Sequence, residues 1–143
     1  MFGIICAIIS GISMSLQGVF NTRLGEKIGT WETNVIVQAS GLILTLLISF
    51  FLRKGSYNEI KSVNKLYLLG GALGVVIIFT VMQSIRSMGP TCGIGIILIS
   101  QLLAASIIDA FGLFDSEKIK FSTHHFIGVA IMIIGIVIFK WKH

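Results

Sequence analysis

One stretch restricts the possible folds more than any other. From Gly89 to Phe114 the chain reads Gly-Pro and then an apolar run through Cys92, Ile97 and Leu103, with Gln101 and Asp109 inside it. At ~1.5 Å per helical residue, Cys92 to Phe114 is long enough to cross a hydrocarbon core of ~30 Å. An ionisable Asp109 in such a segment costs about 2.5 to 3.5 kcal/mol on insertion scales, so it must face protein or water rather than lipid. Pro90 is the only proline of the chain. It stands where a helix accepts one, in the first turn, whose N–H groups have no intrahelical partner.

The rest of the chain follows the same logic. Hydrophobic residues make up 55% and charged residues 12% of the 143, and mean hydropathy is +0.95. Such a composition excludes both an ordinary soluble domain and a disordered one, and defines an integral membrane protein. The net charge of +5 does not point to nucleic acid, because the basic residues fall between apolar runs, where they set topology and meet headgroups. Cys6 and Cys92 lie in apolar segments without metal-ligand or redox spacing and read as small buried hydrophobes.

Five spans are expected, over residues 2–20, 33–52, 66–85, 92–114 and 121–139, as one all-α transmembrane domain. In the first, Gly3, Ala7, Gly11 and Ser15 recur every four residues, a stripe of small side chains that lets another helix approach closely. A second stripe, Ser10, Ser13, Gln17 and Asn21, is polar; it serves either interhelical hydrogen bonds or a cavity lining. Arg23, Gly25, Glu26, Lys27 and Gly29 are expected to form a polar link, with Trp31 anchored at the headgroups. Span two carries Gln38, and the basic link from Arg53 to Lys65 reads as an interfacial loop. Span three opens with Gly70 and Gly74, again spaced for helix contact. These glycines lack the preceding strand and the Gly-Lys-Ser/Thr ending of a phosphate loop. It ends with Gln83 and Arg86, the latter placed to snorkel or to pair with an acid.

Span four follows span three almost without a loop and is therefore antiparallel to it. Gln101, Ala105, Asp109 and Gly112 share one face by the 3.6-residue repeat; Asp109, about a turn and a half from the expected helix end, serves either to cap or pair near the interface or to bind an ion. His124 and His125 are adjacent, so they lack the i, i+4 spacing of a metal pair; headgroup contact is expected, and no metal or cofactor. With five spans the termini lie on opposite sides. The basic residues then divide as six (Arg53, Lys54, Lys61, Lys65, Lys118, Lys120) against five (Arg23, Lys27, Arg86, Lys140, Lys142). Lys and Arg counts set orientation, so a chain balanced this closely is free to insert either way and to pair with an inverted copy. Discounting Arg86 as buried gives six against four, which favours an inside N-terminus and a separately encoded partner.

These residues resemble the YdcZ-type five-span members of the drug/metabolite transporter superfamily, relatives of the EamA-type transporters. The resemblance covers essentially the whole chain. It rests on the Gln17 and Asn21 spacing, Gly70-Gly71-Ala72-Leu73-Gly74, Gly89 before span four, and Gln101-Leu102 followed by Asp109, Phe111 and Gly112. Ser100 departs from the pattern, standing where glycine is common. The resemblance implies one half of a ten-helix inverted-repeat assembly, as a homodimer or with a related five-span chain, in a bacterial inner membrane.

The function that follows is secondary transport of a small metabolite or amphiphilic organic solute, with Gln17, Asn21, Gln38, Gln83 and Gln101 lining a cavity and Asp109 and Arg86 supplying gating or coupling. A small multidrug-type proton exchanger fits less well, because span one holds no carboxylate. The alternative from another class is a non-transporting assembly or regulatory subunit docked through the small-residue stripes. No His/Cys/acid cluster, Ser/His/Asp grouping or paired carboxylates at useful spacing mark an enzyme.

Overall fold

The computed structural model describes residues 1–52, 55–119 and 122–141. All regular structure among them is helical: α1 (Phe2–Ile28), α2 (Thr30–Leu52), α3 (Gly70–Met88), α4 (Pro90–Phe111) and α5 (Thr123–Lys140), with short 3-10 turns at Tyr57–Lys61, Lys65–Leu69 and Leu113–Asp115. Four helices are long and apolar enough to span a membrane; α5, with 18 residues, is a shorter apolar helix. Most large apolar side chains on them are exposed, Ile4, Ile8 and Ile12 on α1 and Leu42, Leu46 and Phe50 on α2 among them. That is the pattern of helices whose solvent is lipid.

The chain divides into two compact units, Met1–Gln83 and Ser84–His143, with α3 running from the first into the second. In the first unit α1 and α2 form a tight hairpin. The polar link expected around Arg23 to Gly29 shrinks to Gly29 alone. Nothing before it stops α1: Arg23 and Glu26 pair along the helix at 3.1 Å, Lys27 stands in the last turn where it complements the helix dipole, and only Gly29 takes a positive φ, +103°. The backbone bonds then pass without interruption, Gly29 N–H donating to the Gly25 carbonyl and Thr33 N–H to that of Gly29. A side chain at Gly29 would collide with the Glu32 carboxylate, which folds back over the link.

The second unit is built from the end of α3, α4 and α5. Gly89, φ +79°, makes the turn before Pro90. Gly93 is buried against α3; a Cβ there would stand 2.9 Å from Ser84 Oγ. Ile136 of α5 fills the equivalent space at Gly95. Gly112 ends α4 in the left-handed conformation, φ +63°, a position that favours glycine. It lies past the helix rather than on the face of Gln101, Ala105 and Asp109, where the 3.6-residue repeat puts it. Phe121 lies outside the described residues, and α5 starts at Thr123. Ser122 caps it: its Oγ accepts from His124 N–H and His125 Nδ1 accepts from Ser122 N–H, so His125 has a local structural task beyond the headgroup contact expected of it.

Candidate functional site

In the first unit the polar chemistry collects beside the hairpin link. The buried polar side chains among the described residues are Asn21 and Thr22 on α1 and Thr33 and Asn34 on α2. None of them is charged. Asn21 and Thr22 stand eight and seven residues before Gly29, Thr33 and Asn34 four and five after it. At ~1.5 Å per residue the two pairs lie within about one helical turn of the same depth. On α1 they share the packed side with Gly18 and Gly25, the other buried residues of that helix. The close-approach stripe that the chain uses in α1 is therefore Gly18, Asn21, Thr22 and Gly25, whereas positions Gly3 and Gly11 of the expected stripe have no described residue within 4 Å of where a Cβ would stand.

Contacts between α2 and α3 form a short antiparallel ladder. Trp31 stacks on Phe79, ring centroids 5.0 Å apart and 16° from parallel. One turn on, Asn34 Nδ2 donates to the Val75 carbonyl at 2.9 Å. A further turn along α2, Gln38 meets Gly74: its Nε2 lies 3.0 Å from where a Cβ at Gly74 would be. Glycine at 74 thus makes room for a glutamine, a close approach of the kind expected there, although the visitor is a side chain rather than a helix backbone.

The hydroxyl protons at this site are spent. Thr22 Oγ1 donates to the Gly18 carbonyl at 2.7 Å and Thr33 Oγ1 to that of Gly29 at 2.8 Å. Asn34 Oδ1 is buried and has no hydrogen-bond partner among the described residues. Buried amide oxygens are ordinarily paired, since leaving one unpaired costs about 1 to 3 kcal/mol. Neither Asn34 nor the threonines stood out in the sequence; a Thr-Asn pair one turn into an apolar helix was the available signal.

The other sequence candidates are spread along the helices. Gln17 and Gln101 are exposed on α1 and α4, and Gln83, also exposed, closes the first unit on α3. Arg86 is exposed near the end of α3. Asp109 is half-buried near the end of α4, where its backbone carbonyl takes N–H groups from Gly112 at 3.3 Å and Ile119 at 2.9 Å and so ties the following loop back to the helix. Gly70 has no neighbour among the described residues where a Cβ would stand. Between α4 and α5, Cys92, Ile96, Ile99, Ser100, Ile133, Ile136 and Val137 line an open cleft of about 280 Å³. No group of three metal-ligating side chains occurs among the described residues.

An all-helical chain with several apolar, lipid-length helices and a buried, uncharged polar cluster is a multi-pass protein of the cell membrane. The family model described as "Putative inner membrane exporter, YdcZ" matches residues 2–138. The chain belongs to that family, and its class is that of a membrane transporter rather than an enzyme. No curated protein and no solved structure matches it.

Proposed function

We propose that the protein is a secondary transporter of a small metabolite or amphiphilic organic solute and that it works as an antiparallel dimer. One observation carries this reading. Gln17 and Gln101 lie exposed in the middle of apolar helices, and an amide facing hydrocarbon is costly. Such side chains need protein or water opposite them, which a second chain enclosing a polar cavity supplies. The open faces at Gly3 and Gly11 allow that chain to come close, and the near-equal basic count leaves either orientation open.

In this arrangement Asp109 and Arg86 gate the cavity. Asp109 lies 19 residues beyond Pro90 on α4, some 28 Å at ~1.5 Å per residue, and Arg86 lies just before that helix begins. Inverting one copy brings the Asp109 end of each subunit to the depth of the other's Arg86 end. Solute or proton binding then relieves the pairing at one face. The test is substrate-dependent flux in liposomes across a metabolite panel. Asp109→Asn is expected to insert normally and to lose coupled flux, with partial recovery when the two charges are swapped. Flux at the wild-type level in Asp109→Asn removes the gate, and absence of flux for every solute removes transport.

A further inference from the structure

We propose that Asn34, with Asn21, Thr22 and Thr33, is a binding site for a neutral solute that donates hydrogen bonds from hydroxyl or amide N–H groups. The proposal rests on the transport reading and names the substrate class. Asn34 is 3% exposed, and its amide orientation is determined: Nδ2 faces the Val75 carbonyl, and a flipped amide would set oxygen against oxygen. Oδ1 is therefore the atom left over, buried and unpaired.

The neighbouring groups have the same bias. The Thr22 and Thr33 hydroxyls have given their protons to backbone carbonyls and can only accept further bonds. Asn21 is 7% exposed and makes no side-chain hydrogen bond to another described residue; its amide adds an acceptor and two donors, beside the second Nδ2 hydrogen of Asn34, which the Val75 carbonyl does not use. The cluster thus offers acceptors in excess of donors, which suits a donor-bearing ligand and disfavours an anion. It also lacks charge. Arg23 and Glu26 neutralise each other on the exposed side of α1, and the Glu32 carboxylate lies over Gly29. A cation stripped of water would find no counter-charge among the four buried residues, and burying an unpaired charge costs far more than burying a hydroxyl. A polyol or an amide meets the site on equal terms.

Trp31, one turn before Asn34 on α2 and stacked on Phe79, is a built-in reporter. Trp141 is the other tryptophan, so Trp141→Phe isolates the signal. The protein, in nanodiscs, is titrated with xylitol, N-methylacetamide, ethanolammonium and gluconate while Trp31 emission is followed. The expected result is a saturable change with xylitol or N-methylacetamide, none with the two ions, and at least a tenfold weaker response in Asn34→Leu. Should Asn34→Leu fail to fold, Asn34→Asp replaces it, with preference expected to pass from the neutral probes to ethanolammonium. Absence of saturation by both neutral probes, saturation by an ion in the native protein, or a response indifferent to position 34 overturns the site and leaves water to satisfy Oδ1. Because binding is read at equilibrium, saturation without flux keeps the site and removes transport, whereas flux indifferent to Asn34 does the opposite.

Discussion

The two halves of α1 carry the same kind of sequence and meet opposite fates. In the first half Gly3, Ala7, Gly11 and Ser15 stand at four-residue spacing, and a Cβ at Gly3 or Gly11 would meet none of the described residues. In the second half Gly18, Asn21, Thr22 and Gly25 form an equally small-faced stripe, and all four are buried. Spacing does not separate them. Their distance from the one-residue link does: Gly29 holds α2 against the second half of α1, so close approach there costs almost no loop entropy. In the first half no described residue stands within 4 Å of where a Cβ at Gly3 or Gly11 would be. A stripe of small residues is thus permission to pack, and connectivity decides where the permission is used.

Filling the packed half gives the largest effect. Gly25→Leu places a branched side chain in a buried position, where overpacking costs about 1 to 3 kcal/mol, and a marked fall in thermal stability in detergent is expected. A melting curve that matches the native one would mean that α2 gives way freely and that the two halves differ little. The same change in the open half, Gly11→Leu, should leave the melting of the single chain within about 0.5 kcal/mol, as for substitutions away from special contacts. Its effect belongs to the dimer, with the cross-linked species in detergent falling severalfold. An unchanged cross-linking yield would show that this face does not meet a second copy. The smallest effect is expected for Glu26→Gln, which breaks the exposed pair with Arg23; exposed pairs contribute about 0.2 to 1 kcal/mol and lose it with salt. If that change unfolds the end of α1, the pair rather than Gly29 sets the length of the helix.

Length and apolar runs were enough to define a helical membrane chain, and the motif groups around Gly70 and Gln101 were enough to place it in its family, because lipid leaves the backbone few alternatives to helix. Ends were harder to see. Charged residues between spans suggested a link, yet Arg23, Glu26 and Lys27 are good helix formers and α1 passes through them to the first glycine with positive φ. The fourth-span face was legible at Gln101 and Asp109 but not at Gly112, whose left-handed backbone lies beyond the helix.

What the sequence could not contain was the sorting of its polar residues. Gln17 and Asn34 look alike as isolated amides in apolar helices, but Gln17 is exposed and Asn34 is enclosed. Asn34 owes its buried, half-satisfied state to the Val75 carbonyl, 41 residues away on α3, and to a hairpin one residue wide. Periodicity assigns a side chain to a face of its own helix; burial and hydrogen-bond satisfaction belong to whatever stands opposite that face, and only the packed structure supplies it.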